Sequence, residues 1–559
     1  MFETVYQQFK AAAVQSPHLP FLCYPASATR GYDAAGSEYR YCDALAIVDD
    51  LAARYWAAGY RRGHRVALVL GNRPEHFWHL LALNSVGASA VLINPEYLPS
   101  ELTYGIEFAD CALVVGAPPR VDDLSNLVAR FRVPIPLFDV VNPHSTIARP
   151  ALPAAAAVAS DSESEALIIY TSGTTGNPKG CIISNLSCLA AGEFYAGAGG
   201  LMHMDPEGER FYVPFPSFHM SVSVFTLNTI TRLRNCLIMQ DRFHASTWWS
   251  DVVATRATVV HYLGIVPPLL LKAPAAEIEN RHVVKFGQGA GVDPSVRHSF
   301  EQRFGFPLVE GWGMTETSRA IHNAGEPRCL DARAFGRPRP PLDMRVIDEQ
   351  DATVPFGVAG ELVVRAAGPD PRSGFFSGYL KHPEETEHAW RGGWFHTGDI
   401  VTQRADGMLF FVERRKNIIR RSGENISAAV VEDALIGDPA VALVAVLSVP
   451  DEFHDEEIMA CVQLFAGVRP SIEIAQAIVE RARDKVSHYK LPAWIAFVDA
   501  IPVTGTQKVR KGVLFAEGSD PRKDPRSYDL RHLKRRSKSA DQSDTTVRSD
   551  SKLTGPEKN

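Results

Sequence analysis

The chain has 559 residues, 45% hydrophobic and 22% charged, which is a globular balance and too much length for one small core, so two or more domains are expected. No apolar run reaches the roughly 18–20 residues of a transmembrane helix. The opening MFETVYQQFKAAAVQ lacks the basic-then-apolar order of a secretory leader, and a net charge of −6 gives no electrostatic case for general nucleic-acid binding. Eight scattered cysteines with no C-x-x-C pair argue against a disulfide framework or zinc site and predict reduced thiols in a cytoplasmic protein.

From Tyr41 to Tyr60, the residues Leu45, Val48, Leu51 and Tyr55 recur at helical spacing. Gly63 breaks the pattern, and Arg65 to Leu70 reads as a strand. Pro74 opens a second helix through Leu81 and Val86, Ala90 to Ile93 is another buried strand, and a third cycle ends at Ala112 to Val115. This alternation predicts a doubly wound, mostly parallel α/β sheet, which binds ligands beyond the carboxyl ends of its strands. Residues 133–165, rich in Pro, Ala and Ser, read as a surface connection.

That connection feeds YTSGTTGNPKG, Tyr170 to Gly180, after the apolar run Ala166 to Ile169. Backbone amides, the hydroxyls of Thr171, Ser172, Thr174 and Thr175, and the Lys179 ammonium can all donate to phosphate oxygens, and Gly173 lets the backbone approach closely. The spacing is not the G-x-x-x-x-G-K-[ST] of ATPases.

Further motifs follow in order. PFPSFHM holds His219, a residue type beside aromatics that is more often packing than chemistry. Ala257 to Gly264 reads as a strand, and VVKFGQGAGV has a Gly-rich turn at Gly289, Ala290 and Gly291 that fails the dinucleotide pattern at Val292. In GWGMTET, Trp312 offers an aromatic face, Thr315 a hydroxyl and Glu316 an oxygen ligand. In WFHTGD, Asp399 is an acceptor suited to two hydroxyl donors. Arg414 then opens RRKNIIRRSGENISAAVVE, and a helix at 430–436, strands at 441–449 and 459–465 and a helix at 472–486 suffice for a small α+β domain. It ends at IPVTGTQKVRK, and the charged segment beyond has too few apolar residues to offset chain entropy, predicting disorder.

Together these motifs resemble the adenylate-forming superfamily of acyl-CoA synthetases, nonribosomal-peptide adenylation domains and luciferases. The whole chain is most similar to the crotonobetaine/carnitine-CoA ligase-like branch. The resemblance implies a large N-terminal doubly wound α/β domain (1–414), a small mobile C-terminal α+β domain (415–518) and a disordered tail (519–559). It implies that Thr171 to Lys179 hold the ATP phosphates, that Gly289 to Gly291 and Trp312 flank adenine, and that Thr315 meets the α-phosphate or acyl oxygen. Glu316 would hold magnesium, and Asp399 and Arg414 the ribose. His219 would lie beside the acyl pocket, with His261 and Tyr262 walling a site for a short or medium acid. Lys416 takes the hinge position, and Gly423 and Glu424 belong to a loop that faces CoA. In the terminal motif Pro502, Thr504, Thr506 and Lys508 match, while Gln507 replaces the usual Gly.

The implied reaction joins a carboxylic acid to CoA through an acyl-adenylate, using ATP and Mg2+ and releasing AMP and pyrophosphate. The partners implied are the small acid and CoA, with no nucleic acid and no integral membrane contact; a homodimer is left open. A stand-alone adenylation enzyme loading a carrier-protein thiol, a luciferase-like oxygenase and a nucleotide-binding scaffold are the competing readings.

Overall fold

The computed structural model describes every residue except 1, 29, 151–158, 172–177, 265, 331, 415–416, 422–423, 452–454, 487, 504–508, 517 and 535–559. The chain divides into two compact units, the first made of Met1–Lys416 with Val503–Lys508 and the second of Asn417–Pro502 with the chain from Val509 onward.

In the first unit the strands Arg65–Val69, Ser89–Leu92, Cys111–Gly116, Leu137–Asp139 and Glu165–Thr171 pair in parallel. Leu137–Asp139 is therefore an edge strand, where the sequence suggested only a surface connection. A second sheet runs in parallel through Pro20–Tyr24, Cys236–Met239, Arg210–Val213, Val259–Leu263, Phe286–Ala290 and Leu308–Gly313. Alternate side chains of a strand face opposite sides, and the cores follow that rule. Val66 and Leu68 of the first sheet share one core with Phe211 and Val259 of the second and with Val48, Phe77 and Ala191 of the helices Tyr41–Ala58, Pro74–Ser85 and Asn185–Ala196. Ala67 and Val69 face outward onto Leu102 and Leu124, and Val260 and Tyr262 face outward onto Trp248 and Phe300. The unit is thus a stack of helix, sheet, helix, sheet, helix, and central strands covered on both faces, such as Ser89–Leu92 and Cys111–Gly116, are buried along their whole length. An antiparallel sheet of Ala334–Gly336, Leu409–Arg414, Phe395–Gln403, Gly360–Ala366 and Leu342–Ile347 completes it.

The second unit packs the helices Ala428–Ile436 and Ile472–Ala482 on a sheet built from the long hairpin Val441–Asp451 and Asp455–Leu464, the hairpin Ile418–Arg421 and Glu424–Ser427, and Trp494–Phe497. It continues past Gly518, where the sequence predicted disorder. Ser527–Asp529 pairs antiparallel with Trp494–Phe497, and Leu530 is fully buried. The few apolar residues of the segment, Tyr528, Leu530 and Leu533, all meet the core, so a low average hydrophobicity concealed a docked strand. A chain ending at Gly518 should unfold its C-terminal unit about 3–5 kcal/mol more easily than one ending at Lys534, the scale of losing a fully buried leucine and its contacts. Denaturant unfolding of the two truncations measures that difference. Residues 535–559 lie outside the described residues. Among the described residues no helix is long and apolar enough to cross a membrane, and all eight cysteines are free thiols.

Candidate active site

The phosphate motif spans two antiparallel strands, Glu165–Thr171 and Lys179–Ser184, in which Thr171 and Lys179 are register partners. Ser172, Gly173, Thr174 and Thr175 lie outside the described residues. The Thr171 hydroxyl donates to the Lys179 carbonyl at 3.4 Å. The Lys179 ammonium forms an ion pair with Glu385 and lies 5.2 Å from the centre of the Tyr379 ring. Tyr379 Oη donates to Glu316 Oε1 at 3.0 Å. The motif lysine and the motif glutamate therefore meet across one tyrosine, a residue that sequence reading did not single out. Glu316 is 7% exposed, and its carbonyl accepts from Phe376 N, while Thr315 is half-exposed on the turn after Gly313. Lys179, Tyr379 and Glu385 line a cleft of about 550 Å³ that extends to His396, Thr397 and Gly398.

Gly398 leads to Asp399, 1% exposed, whose carboxylate accepts from Trp312 Nε1 at 2.8 Å and pairs with Arg414. Register makes the second contact, because Asp399 and Arg414 are opposite one another in adjacent strands. Trp312 was expected to offer only its face. The indole ring also lies 5.9 Å from Phe335 and uses its N–H to hold the carboxylate, a donor that a phenol ring would place elsewhere.

Gly289 and Ala290 lie within the strand Phe286–Ala290 rather than in a turn, and only Gly291, with φ +81°, begins one. A Cβ on Gly289 would sit 2.1 Å from the Tyr262 carbonyl oxygen, so the close approach of two strands requires glycine there. Buried Glu310 accepts from Tyr262 Oη at 2.7 Å and from Gly291 N at 2.8 Å, fixing the turn; burial pushes its carboxyl up. The acid directly before GWG was the available signal for it.

His219 is half-exposed, and its Nδ1 accepts from Ser221 N at 3.2 Å, at the start of a π-helical turn over Ser221–Thr226. Its loop is pinned by Asn72, which donates to the carbonyls of Phe215 and Gln240 and accepts from Ser217 N. The expected joint wall of His261 and Tyr262 does not form. The two are neighbours on one strand and face opposite layers, Tyr262 outward to Glu310 and His261 inward to Tyr195, whose Oη lies 2.8 Å from His261 Nε2. Burial pushes His261 down to about 3, which keeps it neutral.

Gly423 of the second unit lies outside the described residues, and so do Lys416 of the boundary motif and Lys508 of the terminal motif. Glu424 begins the strand Glu424–Ser427.

The AMP-binding enzyme family matches residues 9–380. The chain belongs to that family. The AMP-binding enzyme C-terminal domain matches residues 430–508. Among curated relatives, crotonobetaine/carnitine–CoA ligase of Proteus mirabilis is 27% identical over 490 residues, covering 85% of this chain and 92% of the relative. Sulfoacetate–CoA ligase of Cupriavidus necator is 27% identical over 518 residues, covering 91% and 97%. The ATP-bound MatB structure from Rhodopseudomonas palustris superposes with a TM-score of 0.77 at 23% identity, covering 92% of this chain and 98% of that one. The large-plus-small α/β architecture is therefore that of the AMP-binding enzymes, as the motifs implied.

Proposed function

We propose that the chain is an ATP-dependent carboxylic acid–CoA ligase acting through an acyl-adenylate. The observation that carries the reading is the convergence of Lys179 and Glu316 on Tyr379, which brings a phosphate-type cation and an oxygen ligand to one tyrosine of the cleft wall from motifs far apart in sequence. The buried Asp399, held by Trp312 and Arg414, supplies an ionic acceptor for ribose hydroxyls. The carboxylate oxygen of the acid attacks the α-phosphorus of ATP, and the bond to the β-phosphate oxygen breaks to release pyrophosphate. The CoA sulfur then attacks the acyl carbon, AMP leaves with the bonding electrons, and the thiol proton passes to solvent.

Both partners of the first step are anions, so positive charge and oriented donors at the phosphates lower its barrier. Thr171 and Lys179 fill that role from the phosphate motif, Thr315 from the GWG turn and Lys508 from the terminal motif. Among the described residues no cluster of three His, Cys, Asp or Glu is placed to cage a metal. The lone Glu316 carboxylate fits Mg2+, which prefers one or two carboxylates with substrate phosphates and water. When bound, it would screen the phosphate charge.

The relatives named as CoA ligases favour CoA over a carrier-protein thiol as acceptor. ATP–pyrophosphate exchange across short, medium and long carboxylic acids, followed by thioester formation on CoA and on a phosphopantetheinyl carrier protein, tests the reading. Acid-dependent exchange and a CoA thioester are expected. Exchange with no acid in the panel would support a scaffold, and a thioester on the carrier alone would support the loading enzyme.

A further inference from the structure

The family match ends at residue 508, yet the described chain runs on to Lys534 and is built into the second unit throughout. Arg522 NH1 donates to the Pro450 carbonyl at 2.6 Å, Ser527–Asp529 completes the sheet, and Leu530 N donates to the Ala493 carbonyl at 2.8 Å. The Tyr528 and Phe497 rings meet edge-on at 5.5 Å. The segment ends with the Lys534 side chain 5% exposed and its Nζ 2.7 Å from Glu457 Oε1.

Glu457 is the pivot. It is 2% exposed, lies on the strand Asp455–Leu464, and also receives Arg421 Nε at 2.9 and 2.8 Å and its neighbour Ile458 N at 3.0 Å. Arg421 is the last residue of the strand Ile418–Arg421, opposite Glu424 in the hairpin that carries Gly423 between them. One buried carboxylate is thus shared by the base of that hairpin and the end of the C-terminal segment. Burial pushes the Lys534 ammonium down to about 8, against the pull of Glu457. A desolvated cation in such a place is retained only with a paired carboxylate.

We propose that residues 519–534 form a strap that positions the hairpin of residues 418–427 for thioester transfer, with Lys534 as its positioning residue acting through Glu457 and Arg421. The inference rests on the ligase reading, in which this hairpin faces CoA. Without Lys534, Glu457 keeps only Arg421 of the two cations that reach it among the described residues, and the under-compensated buried carboxylate draws water toward the strand end, loosening the hairpin base while the core helices stay packed.

The test uses the full chain as Lys534→Met and Lys534→Arg. Hydrogen–deuterium exchange is read on peptides covering 418–427 and on the helices 428–436 and 472–482. Pyrophosphate exchange, and thioester formation from supplied acyl-adenylate and CoA, are assayed separately with an acid that the panel above identifies. For Lys534→Met, exchange at 418–427 should quicken at least tenfold with the helices unchanged. Thioester formation should slow at least tenfold while adenylation stays within twofold, and Lys534→Arg should restore both readouts to within threefold. Should Lys534→Met unfold, Lys534→Gln keeps a donor toward Glu457 and carries the same comparison. Unchanged exchange at 418–427, an equal fall in both half-reactions, or no restoration by Arg overturns the inference. A wild-type protein that forms adenylate but no CoA thioester sinks the ligase reading, and this inference with it, before any variant is compared.

Discussion

Asp399→Ala is expected to lower kcat/KM for ATP in pyrophosphate exchange by on the order of 100-fold, or about 2.7 kcal/mol. The figure follows from what the carboxylate holds. A hydrogen bond to a charged group contributes roughly 1.5–3 kcal/mol, and the ribose would make such bonds. The substitution also strips the acceptor from Trp312 Nε1 and the counter-ion from Arg414, leaving a buried donor and a half-exposed cation without that carboxylate. The Asp399–Arg414 pair is buried on one side only, so its loss costs less than the roughly 3–5 kcal/mol of a fully buried pair, and part of that cost will appear as lowered stability rather than lost activity. Trp312→Phe separates the contributions, because it removes one donor and keeps an aromatic face; a fall of about tenfold fits one hydrogen bond to a charged group at the low end of that range. Thermal unfolding of each variant distinguishes site from scaffold. A folded Asp399→Ala protein with unaltered ATP dependence would remove Asp399 from the site.

Lys508→Ala should cripple adenylation, with a loss of about 100- to 1,000-fold, yet still convert a supplied acyl-adenylate and CoA into thioester within a few-fold of wild type. The charge is needed where two anions approach, and an electrostatic stabiliser at such a centre contributes on the order of 10²–10³ in rate; the second half-reaction has no such approach. The opposite split is expected of Lys416→Pro, since proline fixes φ near −65° and a hinge works by changing a few backbone dihedrals. That variant should form adenylate and fail at thioester transfer, provided the adenylating pose tolerates the fixed angle. Each half-reaction assayed alone on both variants decides the matter. Equal loss of both halves in folded Lys508→Ala, or loss of neither in Lys416→Pro, would rule out alternation of the small unit between two tasks.

The motifs were legible because phosphate and ribose chemistry uses contiguous residues, so Lys179, Glu316 and Asp399 are visible in their own local strings. What completes the site was not. Asn72 reaches the PFPSFHM loop across 143 positions of sequence, and Tyr379 reaches Glu316 across 63. Nothing in either local sequence announces its partner. The parallel strands Arg65–Val69 and Cys111–Gly116 were readable as apolar runs because both their faces are covered. The same double burial left no apolar–polar alternation in the sequence to show that His261 and Tyr262 face opposite layers. At the C-terminus, three apolar contacts among many charges were enough to dock a strand, and composition averaged over the segment could not register them.

That docked strand also bears on how the protein is made. Trp494–Phe497 is an apolar strand whose outer edge presents backbone donors and acceptors until Ser527–Asp529 pairs with it. An open edge of this kind is a template for joining another chain. The covering strand is only three residues long and is flanked by the ion pairs Arg526–Asp524 and Arg531–Asp529, a short charged border that ends the ladder. During synthesis the edge stays open until residues 527–529 have been made and have docked. The sheet of the second unit is therefore open to mispairing until that strand docks, and any fragment cut at the family boundary would keep that exposure permanently.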